Sequence, residues 1–497
     1  MSAVGRSGHE ASRTAAESSV RRVSVVAVGI LVVFMVVLNI SLVALAIPTI
    51  NRTFGASSTQ QQWLVSGYFL TLGTALMPAG RFGDARGRRN IFVAGTLLFV
   101  VASGVAGLAP SMGWLIIARL FQGLAAGMVT PQVYGMIQVL FAPDERARPL
   151  GWHAAGVVSS RVVGPPLGGV LLTTGGPEHG WRWIFLVNIP IGVVAAVWGW
   201  RLIPTVRRAE RPDLDPVGAL LLIAGLVLLW LMQGELWGPF LRWLLLLPVG
   251  LGALVGFVVW EQRYVRQGQP LFDPRLLRLR SFALGTFVAT FYFAGYNAIF
   301  YVLSKYLQEG LGHDGLEAGL ALTPLALGVA VTSFFAATKT KWVGRPLVIL
   351  GLVLGAIGLA ALAIGDAFLP GPDSPHAAAL PLLLSGLGGG LVVTGVGAGL
   401  VIAPNQTLTL SEVPSSEGGS AGGMLQTGQQ FGGGLGVAVA GSALLASLGS
   451  TGNWLTAFRV SWSIIVGFLV VALVASLIDL YYQAYQVTRT LPPGCSP

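Results

Sequence analysis

Fourteen apolar runs, most about twenty residues long, follow one another along this chain. They lie at 23–48, 63–80, 91–109, 113–140, 150–173, 183–203, 216–236, 241–261, 281–308, 316–338, 346–366, 378–404, 419–447 and 460–482. Runs of this length cross the ~30 Å hydrocarbon core of a bilayer as single helices. A helix satisfies its own backbone hydrogen bonds there, whereas an open sheet does not. The short alternating segments of a membrane barrel are missing. Charged residues make up 10% of the 497, against about 25% in soluble domains. The chain is therefore read as an all-α polytopic membrane protein with fourteen transmembrane helices.

A net charge of +10 would suit a nucleic-acid binder, but the basic residues sit between the spans. With the N-terminus placed in the cytoplasm, twenty-three of the 30 Lys and Arg fall on the cytoplasmic side. Arg52, Arg182, Arg242 and Arg459 fall outside, and Arg119, Arg161 and Lys305 lie within spans. This bias puts both termini in the cytoplasm. It leaves the lipid bilayer, not nucleic acid, as the partner that the charges address. Arg greatly outnumbers Lys, as in GC-rich bacterial genomes, so a bacterial plasma membrane is expected. Cys495 is the single cysteine, which excludes an intrachain disulfide. Residues 1–22 read as an unstructured polar tail, because their composition cannot build a core. The apolar run that follows is too long for a signal peptide.

The most charged stretch between two spans is Gly80-Arg81-Phe82-Gly83-Asp84-Ala85-Arg86-Gly87-Arg88-Arg89. It reads as a short aqueous loop, with glycines for a tight turn and Asp84 able to accept from the next helix or from the guanidiniums beside it. As a purely positive-inside anchor it would need none of this order. The stretch resembles the signature loop of the major facilitator superfamily, Gly-x-Leu-Ala-Asp-Arg-x-Gly-Arg-Arg/Lys. It departs in Phe82-Gly83 and in the position of Arg86. Through that resemblance Gly80, Asp84, Arg86, Gly87, Arg88 and Arg89 are expected to form a gating loop. A fainter echo, Lys339 to Arg345, stands at the matching place in the second half. Together they suggest two six-helix bundles, 23–203 and 281–482. Two inserted spans and a linker occupy 204–280, and a second tail occupies 483–497. The linker, 262–280, mixes Leu with Arg and is expected to lie at the interface as a short amphipathic helix.

Three further stretches carry mechanism. Span 4 contains Arg119-Leu-Phe-Gln122-Gly123, with Arg119 about 9 Å below the outer interface at 1.5 Å per residue. An arginine at that depth needs a partner or water, unless it snorkels outward. The pattern resembles the superfamily's span-4 motif, whose Arg is implicated in proton coupling. Span 5 carries Gly164-Pro165-Pro166-Leu167-Gly168-Gly169, which resembles the antiporter motif Gly-Pro-x-x-Gly-Gly that marks exporters. Gly164 and Gly168 also make a small-xxx-small packing face, expected to be the moving seam. Trp181-Arg182-Trp183 and Asn188 to Gly192 resemble the approach to span 6 in the fourteen-span drug:proton antiporters. In span 1, Leu38-Asn39-Ile40-Ser41 aligns with the family's Leu-Asp-x-Thr, but an amide such as Asn39 carries no proton at neutral pH. The other acids found in the spans, Glu235, Asp366 and Asp479, are near helix ends. His153, near the inner end of span 5, is either a proton shuttle or a packing residue.

Arg119 and Arg161 therefore face no acid, and unpaired buried cations are expensive. The expectation is a wet pocket that takes a substrate bearing an acidic group. Tyr292, Tyr296 and Asn297 of span 9, and Gln426, Gln429 and Gln430 of span 13, fall on single stripes. Such stripes either bond neighbouring helices or line a cavity, and with Trp63 and Tyr68 they could line a site for an amphipathic molecule.

The resemblance implies a secondary exporter of small amphipathic compounds, a monomer that works by alternating access, with protons as the coupled partner. Uniport or exchange of an anionic metabolite is the alternative. The chain holds no phosphate-binding Gly-Lys-Ser/Thr sequence, which removes an ATP-driven pump as a single chain. Its five histidines are scattered, which argues against an enzyme. No cofactor and no metal is expected.

Overall fold

The computed structural model describes residues 3–142, 145, 147–204, 215–231, 245–266, 268, 270–365, 386–414 and 418–490. Glu235, Asp366, Cys495 and the tail beyond 490 lie outside these residues. Helices α1 to α7 are Ala3–Phe54, Ser58–Arg86, Arg88–Gly107, Met112–Leu140, Ala147–Thr174, Gly176–Leu186 and Asn188–Leu202. Then come α8 (Pro216–Leu231) and α9 (Leu247–Tyr264). The second half holds α10 (Arg280–Lys305), α11 (Gly315–Val343), α12 (Arg345–Gly365), α13 (Gly386–Thr409), α14 (Gly418–Thr451) and α15 (Trp454–Thr490). Among the described residues 11 helices are long and apolar enough to cross a membrane, and no strand is formed. Eleven of the apolar runs thus form membrane-length helices among the described residues.

The internal repeat is sharper in structure than in sequence. Helices α2 and α11 are both 29 residues long and each begins with a capping box. In the first, Ser57 accepts from the Gln60 amide at 3.3 Å while Gln60 accepts from the Ser57 amide at 3.0 Å. In the second, Asp314 and Glu317 exchange bonds of 2.8 and 3.2 Å. These reciprocal bonds satisfy donors that a helix start leaves open. Both helices end at a glycine of positive φ, Gly87 at 98° and Gly344 at 68°. An arginine, Arg88 or Arg345, opens the helix that follows each.

Two expectations about the charged segments change. The stretch 80–89 is not an extended loop: α2 runs through Arg86, and only Gly87 breaks it before α3. Helix is the cheaper conformation because the preceding span already supplies the nucleus. The linker 262–280 forms no amphipathic helix but a five-residue 3₁₀ turn, Pro274–Arg278, capped by Asp273 at 2.8 Å. Its Leu271, Phe272 and Leu276 are buried with Leu70 and Met77 of α2, Leu222 and Leu226 of α8, Phe257 of α9 and Phe282 of α10. Apolar side chains at this density prefer a protein seam to a headgroup layer.

Hydrophobicity does not drive helices together inside lipid, so close approach and interhelical bonds must. Gly164 and Gly168 seat α5 on Ser41, Leu42 and Leu45 of α1, within one bundle. Gly428, Gly432 and Gly436 seat α14 on Thr290 and Ala294 of α10 in the same way. Each fifth helix then packs on the second helix of the opposite bundle, α5 on α11 and α14 on α2.

Gly87 adopts a backbone conformation that a Cβ strains, at a cost of about 1–3 kcal/mol. Gly87→Ala is expected to lower the melting temperature in detergent, read by tryptophan fluorescence. Gly151→Ala, where a Cβ meets open space, is the neutral control. Equal melting of the two variants would refute the one-residue hinge.

Candidate functional site

Arg119 is 1% exposed and surrounded by neutral acceptors. Its NH1 donates to Asn39 Oδ1 at 2.5 Å and to Gln122 Oε1 at 3.0 Å, and its Nε donates to the Leu64 carbonyl at 3.1 Å. The guanidinium lies 4.1 Å from the centre of the Tyr68 ring. Tyr68 in turn donates to the Val36 carbonyl at 3.3 Å, and Gln122 donates to Ser103 at 2.8 Å. Every member of the cluster comes from the first bundle. Arg119 does not snorkel, and it meets no carboxylate among the described residues. Its charge is stabilised by bonds to charged donors worth about 1.5–3 kcal/mol each and by the π face of Tyr68. Asn39 is thus a ligand for the guanidinium, with its own amide nitrogen left unpartnered.

Arg161 behaves differently. It stands on α5 with partial exposure, makes no hydrogen bond among the described residues, and places its guanidinium 4.9 Å from the centre of the Tyr296 ring. Tyr296 belongs to α10 of the other bundle and stacks on Tyr292 with centroids 5.8 Å apart. The charge of Arg161 also reaches Tyr292. Tyr296 is 1% exposed, and its hydroxyl has no partner. Here a cation from one half meets a phenol pair from the other, with donor capacity left over on both.

The remaining polar residues divide. Asn297 donates to the Phe293 carbonyl of its own helix at 3.1 Å and borders Gly433 of α14, where Phe69 of α2 also arrives. Gln430 packs on Gly73 of α2 beside a 3.3 Å bond from Thr427 to the Gly73 carbonyl. Gln426, with Gln406, faces the Tyr134 hydroxyl of α4. Gln429 is half-buried. The stripe on α14 therefore spans the joint between halves. Trp63 packs toward the cluster that includes α8, and Tyr68 is enclosed beneath Arg119. Tyr68 shares the larger buried cluster with Tyr292, whereas Trp63 packs against the other. His153 lies against the Tyr134 ring at 4.6 Å, buried, with Nε2 unpartnered.

At the ends of the joint, Gly169 of α5 meets Gly315 and Leu316 of α11, and Gly319 of α11 meets the Pro165 carbonyl. The inter-bundle contact of the span-5 motif is thus Pro165 and Gly169, while Gly164 and Gly168 face inward to α1. Gln308 donates across to the Leu45 carbonyl at 2.9 Å, and Ser442 donates to Gln62 at 3.1 Å. At the basic end, Asp84 forms an ion pair with Arg88, and Arg89 lies 4.3 Å from the centre of the Trp200 ring. Arg86 covers Phe82 at 5.4 Å. Gly80 stands against Pro131 of α4.

Two acids, Glu309 and Glu261, were not expected in the helices, and Asp479 has a partner that its position near a helix end did not name. Asp479 is the buried ion-pair partner of Arg345, which also donates to Asn405 at 2.6 Å. Lys305 is 1% exposed and pairs at 2.5 Å with Glu309, which stands in the π turn Tyr306–Gly310. The four-residue spacing of Lys305 and Glu309 was the available signal. Glu261, 0% exposed in α9, was the other omission.

Removing the amide that Arg119 uses should cost about 1–3 kcal/mol. Asn39→Leu is expected to melt earlier than the wild type, whereas Asn39→Asp keeps the acceptor and melts no earlier. Unchanged melting of Asn39→Leu would contradict the assignment.

The sequence profile of the Major Facilitator Superfamily matches residues 29–437. The chain is 34% identical over 415 residues to a probable actinorhodin transporter of Streptomyces coelicolor, covering 82% of this chain and 69% of that one. It is 33% identical over 429 residues to a puromycin resistance protein of Streptomyces alboniger, covering 85% and 81%. Identity to a tetracenomycin C resistance and export protein of Streptomyces glaucescens is 31% over 433 residues, covering 85% and 76%. Among solved structures, a bacterial homologue of the human lysosomal transporter Spinster overlays with a TM-score of 0.65 at 19% identity, over 93% of this chain and 98% of that one. The profile match, the exporter relatives and the paired helical bundles agree: the chain belongs to the Major Facilitator Superfamily, in its drug-efflux group, and is a multi-pass membrane transporter, not an enzyme.

Proposed function

We propose that this protein spans the bacterial plasma membrane fourteen times, with both termini in the cytoplasm, and exports small amphipathic compounds by alternating access. Eleven qualifying helices support that count, to which α2, α8 and α9 add three. The two halves meet through α5 with α11 and α2 with α14, the contacts a rocking motion would break and remake in turn. The relatives named as antibiotic transporters, resistance proteins and exporters support an antibiotic-like cargo.

The observation that carries the substrate reading is the Arg161 guanidinium. It is half-buried, free of any carboxylate among the described residues, and laid on a tyrosine pair of the opposite bundle. A cation held this way attracts an acidic group on a flat aromatic molecule, and the tyrosines supply its stacking partners. Arg161 is thus the substrate contact, while Arg119 holds the first bundle together.

Proton antiport remains the reading that family membership favours, but Asn39 cannot carry the proton. Asn39 and the neutral shell of Arg119 favour the second reading, exchange or uniport of an anionic compound. Export into proteoliposomes, with and without a collapsed proton gradient, separates the two. Antiport predicts loss of uphill export, and exchange predicts none. In the same assay Arg161→Gln is expected to lower export of anionic compounds about tenfold relative to neutral ones, one decade for about 1.4 kcal/mol. Equal effects on both classes would dismiss the acidic-substrate reading.

A further inference from the structure

Two carboxylates lie far from the Arg161 site, at the basic end of the inserted helices. Asp215 stands immediately before α8 and is 3% exposed. It accepts from the Gly218 amide at 2.8 Å and from Trp260 Nε1 at 3.0 Å. Glu261, in the last turn of α9, is 0% exposed, and neither of its carboxylate oxygens has a hydrogen-bond partner. Both side chains turn into one gap. A Cβ built on Gly218 would lie 2.5 Å from Asp215 Oδ2 and 2.6 Å from Glu261 Oε1.

Two carboxylates converging on one dry gap do not both ionise. Glu261, fully buried beside a second carboxylate, is the one that holds a proton. Arg81 of α2 and the Leu271 and Phe272 amides of the linker face Glu261. The neighbouring parts of α10 and α14 contribute the apolar Phe282 and Ala421. Arg81 also donates to the Pro270 carbonyl, tying the linker to the end of the signature segment. The linker's Leu271, Phe272 and Leu276 then pack on Met77 of α2 and Ala421 of α14, the pair of helices that joins the two bundles.

We propose that Asp215 and Glu261 bind one proton between them, and that this proton holds the linker against the joint of α2 and α14. With Glu261 protonated the pair carries one charge, already satisfied by Trp260 and Gly218. Loss of the proton to an alkaline cytoplasm puts a second charge in the gap. That charge repels Asp215, draws water inward and loosens the segment from Leu271 to Leu279. The inserted helices thereby report cytoplasmic pH to the basic end of α2. The ligand of this site is a proton, and its action is on the gate, not on the cargo.

The test is hydrogen–deuterium exchange of the full-length protein in nanodiscs between about pH 6 and about pH 9, the range reached by buried glutamates. Rates are corrected for the intrinsic pH dependence of exchange. In the wild type, exchange over residues 270–280 is expected to rise about tenfold toward alkaline pH. Glu261→Gln, a neutral isostere, keeps the low rate throughout. Asp215→Asn removes the like charge that opposes ionisation, so the rise moves about one pH unit lower. A flat wild-type profile, or an unchanged rise in Glu261→Gln, would overturn the proposal. The readout involves no transport, so its failure would leave the exporter reading intact.

Discussion

Hydrocarbon offers no hydrogen bonds, and this protein is arranged around that fact. A membrane helix satisfies its backbone donors along its own axis, so information about assembly must be carried by side chains. The two bundles solve the same problem with different chemistry. In the second, Arg345 is buried beside Asp479, a charge cancelled by a charge. In the first, Arg119 is buried among the oxygens of Asn39, Gln122 and Leu64, a charge only solvated. The arrangement in the first bundle keeps a net positive core while bonding Nε and NH1 of Arg119, which offsets the cost that makes unpaired buried cations rare.

Close approach does the rest of the assembly. Where α5 and α14 lie on their own bundles, glycines let backbones touch; where they cross to the other bundle, a second set of glycines does the same. Separating these two sets by one helix face lets a bundle stay rigid while its partner slides. The cross-bundle polar contacts are few and mutually exchangeable amides and hydroxyls, such as Ser442 with Gln62 and Thr427 with Gly73. Bonds of that kind have modest net strength in membranes, about 0.6 kcal/mol on average, which suits a joint that must open.

Much of this was readable in advance, and the residues that were not share a cause. Hydropathy located the helices, and the order of charges from Gly80 to Arg89 identified the family and hinted at the repeat. The role of Asn39 was only half readable: its lack of a proton followed from chemistry, but its contact with Arg119, 80 residues away, needed the fold. Trp63 and Tyr68 share a helix yet enter different clusters, because a stripe does not say which neighbour it meets. Asp215 and Glu261 are separated by two helices and became a pair only when α8 and α9 closed. Gly87 looked like the middle of a loop because sequence does not reveal how far a helix continues past the last apolar residue.

The central claim is that two rigid bundles exchange access at opposite ends around the joint bearing Arg161. The most direct measurement is pulsed electron–electron resonance on protein with Cys495 replaced by Ser and spin labels at exposed positions. One pair spans the far end at Thr174 and Asn453, and another spans the basic end at Arg86 and Ser411. The account predicts two distance populations for each pair, with the far end wide whenever the basic end is narrow, and substrate shifting both together. A single unchanging distance at either end, or two ends that widen in unison, would contradict it.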